Sequence, residues 1–184
     1  MANQDAAFGL RPLKTVGQQD DSTGFSSYWI DAGESDLMYQ GSLVFATATG
    51  YVDISTTTTE LNLGAFWGCF YNDPTTLKPT FKNYYPGSIT PPSSKDIEAF
   101  VYDSPMQMFE IQSAGSGASA QADIFSTCDL DSNGGSTTNG ISTAESADTF
   151  DAGPRILKVL GVSRDPANDE IGQANVNWRV QICQ

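Results

Sequence analysis

Apolar and polar residues alternate along much of this chain with the period of a strand rather than of a helix. The clearest case is Asn175 to Cys183. Val176, Trp178, Val180 and Ile182 fall on one side, and Asn177, Arg179 and Gln181 on the other. Period two over that length predicts a half-buried strand. Residues 155–162 (RILKVLGV) are β-branched and apolar and predict a second strand near it. Earlier in the chain, strand signals begin at Phe25 (FSSYWIDA) and continue through SLVFATA and GYVDIS, with a turn expected near Thr49-Gly50. Residues 63–73 (LGAFWGCFYND) form a dense apolar run, in which Gly64 and Gly68 suggest bulges or close backbone approach. DIEAFVYDS and MQMFEIQS predict two more strands, divided at Pro105. Gln121 to Thr127 is a candidate strand between loops of small residues.

The intervening stretches read as connections. Residues 74–95 carry Pro74, Pro79, Pro86, Pro91 and Pro92, and predict an ordered loop packed down by Tyr84 and Tyr85. Thr56 to Thr59 fits a loop or an exposed edge. The first 19 residues read as an extended arm in which Phe8, Leu10 and Leu13 are spaced by polar or small residues and Pro12 biases Arg11 toward extended backbone. Eight to ten short strands, punctuated by Gly, Pro and Asn, with no helix of three turns and no fixed repeat, give an all-β fold class. The expectation is a compact antiparallel β-sandwich or β-barrel with an extended N-terminal arm: residues 1–19 as arm, residues 20–184 as a single β-domain.

Composition sharpens this picture. Charged residues make up 17% of the 184 residues, so the polar surface rests on Ser, Thr, Asn, Gln and Gly, which favour turns and strands over helices. The formal net charge is −13. A field of that sign repels phosphate backbones and anionic membranes, so neither nucleic acid nor a membrane is expected as a partner. No basic-then-apolar leader opens the sequence, and no stretch approaches a membrane span in length; a protein made and kept in a cytoplasm is expected. Between Asp96 and Pro154 stand ten acids and no Lys or Arg, which reads as a solvated acidic face.

Candidate chemistry is sparse. The chain has no histidine, which removes the usual proton-transfer group near neutral pH, Ser-His-Asp and Cys-His catalysis, and imidazole metal ligation. Three scattered cysteines, Cys69, Cys128 and Cys183, fit free thiols better than a disulfide framework. Asp129-Leu-Asp131-Ser-Asn133-Gly134 matches the first half of a calcium loop, but the twelfth position is Gly140 where a bidentate Glu is needed. Gly115-Ser-Gly117-Ala-Ser-Ala120 resembles a dinucleotide fingerprint without the helix that such a motif requires. Twenty-two acids make chance carboxylate pairs certain, so a carboxylate-based glycoside hydrolase has little support. Trp29, Trp67, Tyr71, Phe81, Tyr84 and Tyr85 fit core or interface packing, with sugar stacking as the alternative.

Several stretches resemble a known family. They are the opening Met1-Ala-Asn3 with Ala6 and Phe8-Gly-Leu-Arg-Pro12, Trp67-Gly-Cys-Phe-Tyr-Asn-Asp-Pro74, Lys78-Pro-Thr-Phe81, Asn83-Tyr-Tyr-Pro86, Tyr102-Asp-Ser-Pro-Met-Gln-Met-Phe-Glu-Ile-Gln112 and Arg155-Ile-Leu-Lys-Val-Leu-Gly161. Together they are similar to the head decoration, or cement, proteins of tailed phages, especially those infecting aquatic bacteria. The resemblance implies a non-enzymatic virion protein, without cofactor or metal, on the outer surface of the capsid. It implies a homotrimer bound to the major capsid protein and stabilising its lattice. Within that expectation Phe8, Leu10, Arg11, Leu13 and Lys14 of the arm are the candidate contacts to capsid protein or to a sister subunit. A tail- or fibre-associated glycan-binding protein is the alternative.

Overall fold

A computed structural model of the chain describes residues 3–15, 24–56, 60–115, 117 and 119–183. Among these residues twelve strands form two antiparallel six-stranded sheets that pack together as a β-sandwich. The strands are β1 (Arg11–Thr15), β2 (Phe25–Ile30), β3 (Leu43–Ala46), β4 (Val52–Ile54), β5 (Asn62–Asn72), β6 (Pro79–Lys82), β7 (Ile97–Tyr102), β8 (Gln107–Gln112), β9 (Thr127–Ser132), β10 (Glu145–Asp151), β11 (Leu157–Val162) and β12 (Asn177–Ile182). The first sheet runs β1-β8-β12-β11-β9-β10. The second runs β2-β7-β5-β3-β4, with β6 paired to β5. No helix among the described residues is long and apolar enough to cross a membrane.

Two apolar clusters fill the molecule. The first gathers Phe109, Ile111, Leu157, Val159, Trp178 and Val180 of the first sheet with Leu43 and Ala65 of the second. The second cluster holds Ile30, Val44, Phe66, Ile97, Ala99 and Val101, closed by Met38 and Tyr85. Tyr85 is wholly buried, as the loop reading required, and its hydroxyl donates to the Glu34 carbonyl at 2.8 Å. The alternation read in the last strand holds, with Val176, Trp178, Val180 and Ile182 buried. Asn177 is buried as well, because its backbone N–H and side chain are tied to Asn168 and Asp165.

Both glycines of the dense run act through their missing Cβ. A side chain at Gly64 would meet the Tyr102 carbonyl oxygen at 2.0 Å. At Gly68 it would meet the Phe81 ring at 2.7 Å, beside a register shift in the β5–β7 pair. The candidate strand at 121–127 is not one. A 3-10 turn occupies Gln121–Asp123 and the strand begins at Thr127. The Asp123 carboxylate accepts the Ala120 backbone N–H at 2.7 Å and turns the chain there. Two further strands, β6 and β10, fall where Pro or mixed polar residues hide the period. Thr57 to Thr59 lie outside the described residues.

The described part of the N-terminal segment lies against its own domain. Leu10 is 1% exposed and belongs to the first cluster. Gly9 adopts φ +71°, and a Cβ there would meet Ser142 Cβ at 2.6 Å and the Gly41 carbonyl oxygen at 2.7 Å. The Leu10 N–H then donates to the Gly41 carbonyl at 2.8 Å. Ahead of this crossing, buried side-chain amides take the place of a neighbouring strand. Gln112, 1% exposed, accepts the Ala6 N–H at 2.8 Å and donates to the Gln4 carbonyl at 2.9 Å. Asn168 donates to the same carbonyl at 2.7 Å. After the crossing, β1 pairs with β8 as an edge strand, where Pro12 is tolerated. The extended arm is thus the first strand of the sandwich and its lead-in. Residues 1–2 and 16–19 of the expected arm lie outside the described residues.

A third amide joins the sheets. Asn133, just past β9, accepts the Leu43 N–H at 2.9 Å and donates to the carbonyls of Leu43 and Ser55 at 2.7 and 2.9 Å. Its side chain serves as one more rung of the second sheet.

Two expectations follow. Leu10→Ala should cost about 2–5 kcal/mol through the cavity it leaves, and Gln112→Ala about 1–3 kcal/mol through stranded backbone groups. Urea unfolding at neutral pH reads both, and unchanged midpoints would show that the segment is not part of the folding unit. The second expectation concerns alkali. Burial pushes the Tyr71 and Tyr85 hydroxyls and the Cys69 and Cys128 thiols up to about 12, from ordinary values of 10.0 and 9.0. Their neutral forms are favoured in the native state, so this contribution is complete below the unfolded values and is lost as pH rises toward 12. Unfolding should therefore set in above the ordinary thiol and phenol range. Tyr71→Phe should raise the alkaline midpoint without loss at pH ~7, since the Tyr71 hydroxyl is buried without a partner among the described residues. A circular-dichroism pH titration of both proteins tests this.

Candidate functional site

The strands that build the second cluster also dictate what appears on the opposite side of their sheet. In β7, Ile97, Ala99 and Val101 turn inward, which turns Glu98, Phe100 and Tyr102 the other way. Register then places Phe25 beside Tyr102, Ser27 beside Phe100 and Trp29 beside Glu98 on β2. On the other flank, Phe70 of β5 lies beside Glu98, and Phe81 of β6 beside Phe70. The result is a face of aromatic side chains contributed by four strands.

The rings touch one another. Phe25 and Trp67 stack with centroids 5.6 Å apart and planes 7° apart, and Phe100 meets Phe25 edge-on at 5.4 Å. Phe81 reaches over Gly68 to lie 5.3 Å from Trp67. Despite these contacts Phe25 is 44% exposed and Phe81 47%; Trp29 and Phe70, which flank Glu98 in the same face, are 53% and 39% exposed. A contiguous, partly exposed aromatic surface of this kind on a folded domain is the candidate docking surface of the molecule.

Next to this face lies a groove of about 330 Å³ lined by Phe8, Leu10, Arg11, Trp67, Tyr102 and Ile141. Three of the five residues singled out in the N-terminal segment therefore come together, and they join the aromatic face through Trp67. The Arg11 guanidinium sits 3.9 Å from the centroid of the Phe8 ring and 3.1 Å from the buried Glu110 carboxylate. Ser163 also hydrogen-bonds Glu110. Leu10, being core, supports the groove from below and is not a free contact. Leu13 is 41% exposed and lies outside the groove, and Lys14 falls within β1.

Of the six aromatics weighed for sugar stacking, Tyr71 and Tyr85 are buried and Tyr84 is half-buried, stacked at 6.2 Å on Tyr39. Trp29 and Phe81 are exposed, and Trp67 is half-buried. Phe25, Phe70, Phe100 and Glu98 complete the face and were not legible in advance. Both alternations of β2 carry aromatic residues, so its period alone does not say which side faces out.

The other candidate chemistry is accounted for by local structure. Asp129 binds Arg155 at 2.6 Å, and the Asn133 carbonyl is taken by Leu43, so two oxygens of the half calcium loop already have protein partners. The three cysteines are free thiols, two buried and Cys183 half-buried. One carboxylate group was not foreseen. Glu34, Asp36 and Asp53 bring oxygens within 4.8 Å of one another, close enough to share a cation. Burial first, and then the neighbouring Glu34, Asp36 and Glu60, raise the Asp53 carboxyl above its ordinary value. Glu34 and Asp36 are adjacent in sequence, but only the folding of β4 brings Asp53 to them. The groove beside Phe8 and Arg11 does not include this group.

Compared with known proteins, the chain matches no family model, no curated protein and no solved structure.

Proposed function

We propose that this protein is a non-enzymatic capsid decoration protein, which seats the aromatic face of its second sheet on the major capsid protein at the outer surface of a phage head. The observation that carries this reading is the aromatic face on which Phe25, Trp29, Phe70 and Phe81 are exposed and Trp67 and Phe100 half-buried. These side chains bring large contact area at low entropic cost, as the anchors of protein interfaces do. The similarity of the sequence stretches quoted above to head decoration proteins supports the choice of partner. The sandwich suits the task, because its two clusters and amide links present the face on strands rather than on loops.

The groove beside Phe8 and Arg11 extends the same surface, so the N-terminal segment contributes to docking from its docked position. Three copies around a local three-fold axis would each make a modest contact and gain avidity together. Binding that favours the assembled shell stabilises it by mass action. The net charge of −13 keeps unbound copies soluble and apart until they meet that shell.

The expected outcome is that the protein is abundant in purified particles and visible as density on their exterior by cryo-electron microscopy. Trp67→Ala combined with Phe81→Ala should weaken binding to undecorated shells by roughly thirtyfold, or about 2 kcal/mol, while the far-ultraviolet spectrum stays unchanged. Full shell binding by this variant would remove the aromatic face from the account. Binding to host glycans in place of shells would move the protein to the tail.

A further inference from the structure

Within the aromatic face one carboxylate is set between two exposed rings. Trp29, Glu98 and Phe70 are direct cross-strand neighbours on β2, β7 and β5. They line a shallow groove of about 180 Å³ whose rim includes Pro92, Lys95 and Asp96. The Glu98 carboxylate makes no hydrogen bond or ion pair with any described residue, and the Lys95 side chain at the rim makes no ion pair with one either. Asp96 accepts the Tyr51 hydroxyl at 3.2 Å.

We infer that this groove is a slot for an arginine side chain presented by the partner protein. The inference rests on the docking role proposed for this face and names what the partner must bring to it. Seating a protein on the face removes water from Glu98, and an unpaired desolvated carboxylate opposes binding strongly. A cation from the partner reverses that cost. Adjacent strands lie about 4.8 Å apart, so side chains that flank Glu98 on both neighbouring strands are near enough for a cation held by its carboxylate to come within the ~6 Å reach of cation–π attraction to Trp29 and Phe70. Guanidinium suits the slot better than ammonium, because its plane stacks on the rings while two N–H groups meet the carboxylate. Asp96 and the overall charge of −13 add long-range attraction for a cation. A neutral sugar would gain nothing from that field. Phe81, beside Phe70 in the same row and 47% exposed, offers a landing for an apolar residue flanking the arginine.

The test titrates the full-length protein with N-acetyl-arginine amide, N-acetyl-lysine amide and a maltooligosaccharide, following the Trp29 indole N–H by NMR. The arginine derivative should shift that signal most. Glu98→Gln should weaken the response about tenfold, the worth of a charge-assisted hydrogen bond. Phe70→Leu should weaken it with the carboxylate intact, and thermal melts confirm that both variants fold. No response to arginine, a stronger response to the sugar, or an undiminished response in Glu98→Gln would each overturn the inference. Shell binding is scored separately with the same Glu98→Gln protein. Arginine binding without shell binding by the wild type would remove the capsid reading and leave the slot standing. Shell binding that Glu98→Gln leaves intact would remove the slot and leave the capsid reading standing.

Discussion

The sandwich depends on side-chain amides that occupy the positions of missing strand neighbours. A carboxamide carries one acceptor and two donors, so Asn or Gln can satisfy backbone groups that would otherwise be stranded. Gln112 does this for Gln4 and Ala6, Asn168 for Gln4, and Asn133 for Leu43 and Ser55. Buried backbone groups without partners are costly, and the described residues include neither long helices nor disulfides with which to close the irregular ends. The polar but weakly charged composition is the material for this solution. Carboxylates in the same places would bring charge into the interior.

The aromatic face follows from the same architecture. Once Ile97, Ala99 and Val101 are committed to the second cluster, pleating sends Glu98, Phe100 and Tyr102 to the other side. Bulges at β5 and the glycine beneath Phe81 then let the rings approach one another. Packing among themselves, they keep fixed positions while staying partly exposed. Such preorganisation lowers the entropic cost of a docking event.

Much of this was legible in the sequence. The all-β class, the strands β2 to β5, β7, β8, β11 and β12, the burial of Tyr85 and the special roles of Gly64 and Gly68 all follow from period, β-branching and turn residues. The N-terminal segment did not. Its apolar residues are too few and too unevenly spaced to announce that Leu10 enters a core built mostly of residues after 100, and Gln112 gives no local sign that its amide holds residues 4 and 6. Those contacts join positions about a hundred residues apart. Of the five contact candidates in that segment, Phe8, Leu10 and Arg11 share a groove, although Leu10 serves the core. The aromatic face was half visible, through Trp29, Trp67 and Phe81. Phe25, Phe70 and Phe100 needed the register between strands, which no single strand carries.

The far edge of the first sheet has a further consequence. There, among the described residues, β10 pairs with β9 on one side only, apart from the Ser113–Ser146 bridge near its start, and it carries Glu145, Asp148 and Asp151, the last paired with Arg155. An open edge is a template onto which a second molecule could add its own strand, and like charges along it discourage that growth. Acidic side chains along this edge thus work against copies polymerising edge to edge at high concentration.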